Sequence, residues 1–526
     1  MHQSWPKKYL PGFYRIGAFS TGTPSRDSVP DSSEVPDIDP ILSKGALKIN
    51  PKKLRKVPWD HSGNHPGSDL AWPLMRSAAS LSKHYVLKSI EEQEPVNDEG
   101  GRVYASMHIN GLIDPLVIIT SQTKRTITMG RHDLATMPLI GWFTRRLGNQ
   151  PIIRKVERDK GVSDPEFAEM INHRSLLTLA HCISGGYAAV VMPEGKSHQD
   201  SRLHKLRTGP MRFAINASEI ARSRGFVQPK IQPVGLHFRC HHWFRTDLFV
   251  EYPEPIDIPF LESTEHSDNL LGGTWVEPPE TLVRGLTKKL EDSLSKVSPQ
   301  AKDWETYRAW HILAHIDSRN LKHPLNSYSE EVIHSRKFRN HPSITEGSEI
   351  LNDAKIAGSI LHSRQLDGRA FSNSMDIKQK SELLKGVLGM AMMLLATPLS
   401  FISTGLQATL AWYLGNNSDE GIDARTTHHF LGIFLSFMTI WPILSIFTTI
   451  YILVLTSTEI SIFTLVIGSS LAFVGFQLSN FMFLLGYDLW NDYSVSLKRR
   501  KLARTTEGKQ LIKLAKSIAS ELVALK

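Results

Sequence analysis

Cysteine is almost absent from this chain: Cys182 and Cys240 are the only two among its 526 residues. This scarcity excludes a disulfide framework and any metal site built from four thiolates. The first 380 residues contain no long apolar run, and Met1–Arg15 lacks the continuous apolar core of a secretory signal peptide. We therefore expect these 380 residues to lie on the cytoplasmic side of a membrane and not to be exported.

Apolar residues are concentrated near the C-terminus, in three stretches without any charge. Each stretch exceeds the roughly 20 residues that a helix needs to cross the bilayer core, which predicts an integral membrane protein. The topology stays open, because Lys378, Lys380 and Lys385 precede the first stretch and Lys498–Lys501 follow the last. Both basic groups favour the cytoplasmic side, yet three full crossings would place them on opposite sides. The first stretch is long and contains Pro398, so re-entrant and tight-hairpin arrangements stay open for it. The stretches are Gly386–Leu414, Phe430–Leu455 and Ile460–Leu485.

The formal net charge of +9 suits a protein that lies against anionic lipid and binds anionic substrates. Nucleic acid is a poorer partner, because the basic residues are dispersed and no base-stacking aromatic motif accompanies them. We therefore expect the lipid bilayer, and no nucleic acid, among the partners.

Residues 69–260 have the pattern of one α/β domain. Asp69–Ile90 has helical apolar spacing, and from residue 100 short β-forming runs alternate with helical stretches. Residues 1–68 are rich in Pro, Ser, Asp and Gly, which indicates partial disorder. The predicted strands include Val103–Met107, Thr126–Met129, Ala188–Met192 and Ile231–Phe238.

Three further regions follow the α/β domain. Residues 261–380 are polar and helical, with one apolar stripe that we assign to core packing; residues 381–490 are the membrane region. Residues 491–526 form a basic tail with an amphipathic face. Two alternatives stay open for that face, a membrane interface and ordinary packing on the protein. The stripe is Leu282, Leu286, Leu290 and Leu294, and the face is Leu511, Leu514, Ile518, Leu522 and Leu525.

His108 and Asp114 stand in the run SMHINGLIDP, directly after a predicted strand. Residues six apart lie on different faces of a helix, but the Asn110–Gly111 turn bends the chain so that the two side chains can meet. An imidazole and a carboxylate in contact form a general base with its orienting group. The alternative is structural, with Asp114 as N-cap of the helix that Pro115 opens.

Three further blocks place polar residues where predicted strands end. In α/β sheets such strand ends line the ligand crevice. Gly148–Arg154 ends on an arginine, Val191–His198 breaks from an apolar strand into a glycine turn, and Ile231–Leu236 contains Pro-Val-Gly. The last block is assigned to strand packing or to the wall of a substrate pocket, with packing favoured.

Taken in order, the four blocks resemble the glycerolipid acyltransferase superfamily, which includes glycerol-3-phosphate and 1-acylglycerol-3-phosphate acyltransferases. Its commonest first motif has four residues between His and Asp, whereas HINGLID has five, as in a subgroup resembling fungal and some bacterial sn-1 acyltransferases. Asn110 and Pro115 fit that subgroup, and PEGKSH is similar to its Pro-Glu-Gly-x-Ser-His motif. The match covers roughly residues 100–260 and departs from the family at Met107, where Asn is usual, and at Arg207, where Lys is common.

The resemblance implies a mixed sheet flanked by helices, and transfer of a fatty acyl group from acyl-CoA or acyl-ACP to the sn-1 hydroxyl of glycerol-3-phosphate. His108 would accept the hydroxyl proton, and Asp114 would hold the imidazole. Because the substrate supplies the nucleophile, no Gly-x-Ser-x-Gly elbow is needed, and none occurs. The implied substrate-binding residues are Arg154, for the phosphate, with Glu194, Gly195, Ser197, His198 and Arg207.

Other functions stay open from the sequence. Within the same chemistry, the acceptor could be a lysophospholipid, including lysophosphatidate, or dihydroxyacetone phosphate; outside it, the chain could be a catalytically silent lipid-binding scaffold. The cluster of His237 and Cys240–His242 fits no recognised zinc spacing, so we expect no metal and no cofactor beyond the acyl co-substrate.

Overall fold

The computed structural model describes residues 47–138, 140–261, 264–417 and 423–525. Within these ranges eight strands form one sheet in the order β1-β7-β6-β2-β5-β3-β4, with β8 paired to β6. The strands are β1 (Leu87–Glu92), β2 (Arg102–Ser106), β3 (Thr126–Arg131), β4 (Gln150–Ile152), β5 (Ala188–Val191), β6 (Lys230–Phe238), β7 (Thr246–Glu251) and β8 (Ile256–Asp257).

The sheet is mixed. Strands β6, β2, β5, β3 and β4 run parallel, β7 and β8 pair antiparallel with β6, and β1 is parallel to β7. The centre is buried throughout, since every residue of β2 and β5 is inaccessible, as expected for parallel strands covered on both faces. The predicted α/β class is therefore confirmed.

Helices cover the sheet and continue beyond it. Those of the α/β half are α1 (Pro51–Arg55), α2 (Ala71–Val86), α3 (Ile113–Ser121), α4 (Ile140–Arg146), α5 (Lys155–Asp159), α6 (Pro165–Ser184) and α7 (Gly209–Ser223). The next group is α8 (Thr264–Leu271), α9 (Glu280–Val297), α10 (Trp304–Asn320), α11 (Tyr328–Arg339) and α12 (Glu349–Ser363). The last are α13 (Leu383–Ser400), α14 (Leu406–Asn416), α15 (Asp423–Leu435), α16 (Trp441–Leu455), α17 (Ile462–Ala503) and α18 (Thr506–Ala524).

The observed packing bears on three of the predicted regions. The apolar side of α9, from Val283 to Leu294, is buried in the core of the sheet, so that core continues beyond residue 260. Residues 47–68 also pack, since Leu54 and Val57 are almost fully buried, while 1–46 lie outside the described residues. The amphipathic face of α18 packs against α10 and α12. Of the two alternatives for this face, the structure therefore has packing on the protein.

Three helical segments have the length and composition to cross a membrane: Leu383–Asn416, Arg425–Leu455 and Ile462–Ala503. The first contains a π-helical turn at Phe401–Gly405, and the second contains one at Ser436–Ile440. The indole of Trp441 donates to Thr404 Oγ1 over 3.1 Å, which joins the regions of the two turns. The predicted membrane helices are confirmed as candidate spans by this length and composition.

Contacts along α17 bring the two basic groups together. Lys385 at the start of α13 lies 3.2 Å from Asp492 near the end of α17, so the two helices run antiparallel. Further along α17, Ser479 contacts Ser400 at 3.0 Å, and Phe473 packs against Trp441 of α16. Helices α13 and α16 therefore contact successive parts of α17, while α14 and α15 pair with each other and α15 packs on α2 and α3.

The α13–α17 crossing depends on two glycines, and it gives a stability prediction. A Cβ at Gly389 would lie 2.5 Å from the carbonyl oxygen of Gly486, so Gly389→Val must push the helices apart. We expect a loss of about 1–3 kcal/mol, the usual cost of overpacking, measured as a lower unfolding temperature in detergent. Gly475→Val on α17 is the control, because its Cβ meets nothing within 4 Å. Equal unfolding temperatures for the two variants would contradict close packing at Gly389.

Candidate active site

The centre of the candidate site is the loop that leaves the carboxyl end of β2. His108 Nδ1 lies 2.9 Å from Asp114 Oδ2, and the same oxygen accepts the backbone N–H groups of Ile109 and Asn110, each at 2.8 Å. Gly111 takes a φ of +47°, which turns the chain so that residue 114 faces residue 108. The sequence prediction that these two side chains meet holds in the structure.

The predicted N-cap role of Asp114 is wrong. Helix α3 begins at Ile113 with Leu112 at the N-cap position, and Asp114 lies within the first turn. Its carboxylate points back to the loop, because the imidazole and two loop N–H groups compete successfully for one oxygen. Asp114 thus holds the loop and the ring, and does not cap the helix.

The accessibility of the His108 ring decides what the pair can do. The Asp114 side chain is 0% exposed and that of His108 is 17% exposed. Since Nδ1 faces Asp114, Nε2 is the ring atom left for a ligand, and it has no hydrogen bond to any residue that the structure describes. A buried carboxylate that fixes the tautomer, with an open Nε2, is the arrangement of a general base.

Glu194 joins this loop to the turn after β5. Its Oε2 accepts the backbone N–H of His108 at 2.8 Å, and its Oε1 contacts His198 Nε2 at 2.8 Å and the N–H of His204 at 2.7 Å. The N–H of His198 also donates to the carbonyl of His108 over 3.1 Å. Glu194 and His198 are therefore brought to the dyad, but their polar atoms position it; substrate contact by either remains a prediction.

The other predicted residues of the PEGKSH block surround the same turn. Gly195 has a φ of +76°, a conformation that favours glycine, and its Cβ would lie 3.4 Å from the side chain of Arg207. Arg207 donates its backbone N–H to Pro193 over 2.6 Å, and its side chain is exposed. Ser197 is half-buried in the turn. The structure thus groups these residues beside the dyad loop.

Arg154 lies farther along the same edge. It follows β4, three strands from β2, which corresponds to roughly 14 Å at about 4.8 Å per strand. Its Nε and Nη2 atoms donate to Glu157 Oε1 at 2.9 and 2.8 Å, so a buried carboxylate holds the guanidinium. A guanidinium has five N–H donors, and three remain for a ligand.

Residues at the end of β3 also lie at this edge of the sheet, and they were not predicted from the sequence. Arg131 opposes Ile152 of β4, and its Nε and Nη2 donate to Asp133 at 3.1 and 2.6 Å. Burial alone would raise the pKa of Asp133, but the hydrogen bonds and charge of Arg131 lower it. The signal was available, because Arg131–Asp133 is a polar group directly after a predicted strand.

A second unpredicted contact comes from the membrane region. Thr427 Oγ1 on α15 accepts the N–H of Leu112 at 3.0 Å, and Thr426 Oγ1 donates to Asn110 Oδ1 over 3.2 Å. Phe430, one turn on, is buried in the core of the sheet domain. Helix α15 therefore supports the loop that carries the dyad, through residues more than 300 positions away.

One group in the described ranges offers three ligand atoms to a metal, His198, Asp200 and His204, all within 4.8 Å. Both ring nitrogens of His198 already have partners, Glu194 Oε1 and the N–H of Asp200. The rings of His198 and His204 stack with their centroids 3.8 Å apart. Burial and the neighbouring His198 lower the pKa of His204. This geometry favours a hydrogen-bonded turn over a metal site.

Comparison with known proteins identifies similar sequences over the same part of the chain. The family model described as Acyltransferase matches residues 88–237. Two proteins of Saccharomyces cerevisiae, Glycerol-3-phosphate O-acyltransferase 2 and 1, are 29% identical over 116 residues and 32% identical over 143 residues. These alignments cover 22% and 26% of this chain but only 14% and 16% of the two yeast proteins.

A similar solved structure is that of the 1-acyl-sn-glycerophosphate (LPA) acyltransferase PlsC from Thermotoga maritima. It is 14% identical and the match covers 42% of this chain and 80% of that one, with a TM-score of 0.26. The match to the acyltransferase family model, over residues 88–237, includes both residues of the dyad.

Proposed function

We propose that this chain, whose residues 88–237 match the acyltransferase family model, is an enzyme of the glycerolipid acyltransferase superfamily. It moves a fatty acyl group from acyl-CoA or acyl-ACP to the sn-1 hydroxyl of glycerol-3-phosphate. The observation that carries this proposal is the oriented imidazole: His108 Nδ1 on the buried carboxylate of Asp114, with Nε2 open. The sn-1 position is supported by the five-residue spacing of HINGLID, and the glycerol-3-phosphate acceptor by the names of the two yeast relatives.

The chemistry follows from the ring position. His108 Nε2 accepts the proton of the acceptor hydroxyl. The hydroxyl oxygen attacks the thioester carbonyl and forms the new C–O bond. Asp114 stabilises the imidazolium through Nδ1. Collapse of the tetrahedral intermediate breaks the C–S bond, and the imidazolium returns its proton to the departing thiolate. These steps use no acyl-enzyme and no metal. Their products are the acyl ester of the acceptor and the free thiol of the donor.

The proposal is tested by assaying membranes that contain the full chain with labelled acyl-CoA and a panel of acceptors. The panel is glycerol-3-phosphate, dihydroxyacetone phosphate and 1-acylglycerol-3-phosphate. We expect glycerol-3-phosphate to give the highest kcat/KM and the label to appear at the sn-1 oxygen. Preference for another acceptor would replace the proposed substrate while keeping the reaction, whereas no product from any acceptor would favour the lipid-binding scaffold.

Arg154 is the proposed phosphate ligand, because its fork geometry suits phosphate oxygens and three of its donors are free of Glu157. Arg154→Gln should raise KM for the phosphorylated acceptor about 10- to 100-fold, the usual value of hydrogen bonds to a charged group, with KM for acyl-CoA unchanged. Arg158→Gln, exposed on the same short helix, is the control. If both KM values stay at the wild-type level in Arg154→Gln, the phosphate binds elsewhere.

We further propose that the domain faces the cytoplasm from an integral membrane position. The basic groups at Lys385 and Lys498–Lys501 lie at one end of the α13–α17 pair, and an excess of Lys and Arg marks the cytoplasmic side. Protease accessibility of the α/β domain in sealed vesicles of known orientation tests this. The vesicles must be sealed with the cytoplasmic face of the membrane outward. Protection of the domain from added protease in such vesicles would contradict the proposal.

A further inference from the structure

A large cavity lies between the sheet domain and the membrane helices, away from the dyad. Its volume is about 1000 Å³, the upper end of the roughly 300–1000 Å³ typical of small-molecule sites. Its walls include the loop after β6, the segment 365–370 after α12, and parts of α13, α14, α15 and α17. None of the residues proposed above for catalysis or substrate binding lines it, so it is a second space in the molecule.

The two ends of this cavity differ in chemistry. One end is apolar, with Phe401, Ala408, Ile433 and Leu484 from the membrane helices. The rest of the wall carries eight Lys or Arg residues against four Asp or Glu residues. Phe401 lines the cavity and is also 72% exposed, so the apolar end opens onto the outer surface of the candidate membrane spans. Such a site suits an amphiphile that enters from the bilayer.

Most of the cations in the wall already have carboxylate partners. Arg239 pairs with Glu331 and Asp247, and Lys88 and Lys385 share Asp492. These ion pairs hold the polar wall together, and they neutralise the cations that take part, so these cations contribute little to binding an anionic ligand.

Two guanidiniums are different. Arg425 and Arg499 make no ion pair or hydrogen bond with any residue in the part of the chain that the structure describes, and the Nε atom of each is buried without a partner. Both side chains are half-buried, and a guanidinium held partly out of water without a hydrogen-bond acceptor is costly. The guanidinium fork suits a phosphate group. Arg499 also adjoins Lys498, whose ammonium donates to the neutral oxygen of Gln365 over 2.5 Å.

We propose that this cavity binds one acidic glycerophospholipid from the bilayer, with its phosphate beside Arg499 and its acyl chains at the apolar end. Arg425 provides the second cation along the wall. On α15, Arg425 and His429 line the cavity while Thr426 and Phe430 contact the sheet domain, so a lipid here would brace the helix that supports the dyad loop. Binding does not require acyl transfer.

The test titrates the purified full-length chain with dioleoyl phosphatidate and counts bound lipid by native mass spectrometry. Dioleoyl phosphatidylcholine, oleoyl-lysophosphatidate, inorganic phosphate and acyl-CoA serve as competitors. We expect one phosphatidate per chain and a loss of affinity of about tenfold or more in Arg499→Gln. Arg500→Gln is the matched control, because Arg500 is the next residue on α17 and does not line the cavity. His108→Ala should bind normally, which separates this site from the proposed catalysis.

Other results would overturn the proposal. Equal affinity for phosphatidylcholine removes the role of the anionic headgroup, and effective competition by inorganic phosphate or acyl-CoA identifies a soluble ligand. Competition by lysophosphatidate ahead of phosphatidate would make the occupant a reaction product and not a bilayer lipid. If Arg499→Gln unfolds, Ala408→Trp, which fills the apolar end, should abolish binding with an unchanged unfolding temperature; retained binding in that variant contradicts the site.

Discussion

His108→Ala is expected to lower kcat/KM for acyl transfer by about 10²–10⁴, the usual contribution of a positioned general base. The loss should appear in kcat, with KM for both substrates near the wild-type value, because the ring acts on the proton and not on binding. The unfolding temperature should change little, since the His108 side chain is partly exposed and the loop is held mainly by Asp114 and Glu194.

The matched control for this variant is His173→Ala. His173 is an exposed histidine on α6 whose ring contacts Glu169 at 3.7 Å, and it lies outside the site. Its activity should equal that of the wild type. Comparable activity in the His108 and His173 variants would remove the base from the mechanism, even if the family assignment holds.

The strands of the α/β domain were predictable because their residues are strongly β-forming and the boundaries are polar. Observed β2, β5 and β6 agree with their predicted limits to within a residue, and β3 extends two residues beyond Met129. The short β1 was missed, because Leu87–Glu92 continues the apolar spacing of α2. Its pairing with β7, some 158 positions away in the chain, decides its conformation, and no local pattern contains that information.

The dyad was predictable because it is local: its two members are six residues apart, and Gly111 supplies the turn. The contacts that hold it were not. Glu194 reaches the loop across 86 positions and Thr427 across 315. Their residue types are ordinary, so that only the fold brings them to His108.

The membrane region shows where composition stops being informative. The last apolar stretch ends at Leu485, yet α17 continues to Ala503, because Asp488 pairs with Arg245 and Asp492 pairs with Lys88 of the sheet domain. The helix thus changes along its length from an apolar candidate span to a segment that pairs with the sheet domain. Lys385 also contacts Asp492, so the basic groups that flank the first and third segments lie at one end of the α13–α17 pair.

Glu331→Gln is expected to be among the most destabilising single substitutions in the chain. Glu331 is 3% exposed and binds Arg239 Nη1 through both oxygens, at 2.9 and 2.7 Å, while His311 Nδ1 lies 2.8 Å away. Removing one partner of a buried ion pair costs about 3–5 kcal/mol, because the other charge stays buried. The unfolding temperature in detergent should fall well below that of Glu291→Gln, an exposed carboxylate on α9.

The pH dependence of this difference identifies its cause. Burial alone would raise the pKa of Glu331, but the charges of Arg239 and His315 hold it well below its ordinary value of 4.5. A carboxyl with a lowered folded-state pKa stabilises the protein above about pH 4.5, and this contribution is lost as the pH falls. The difference in unfolding temperature between wild type and Glu331→Gln should therefore be largest at neutral pH and smaller in acid. A gap that stays constant down to the acid unfolding of the wild type would assign the loss to packing and not to the charge of Glu331.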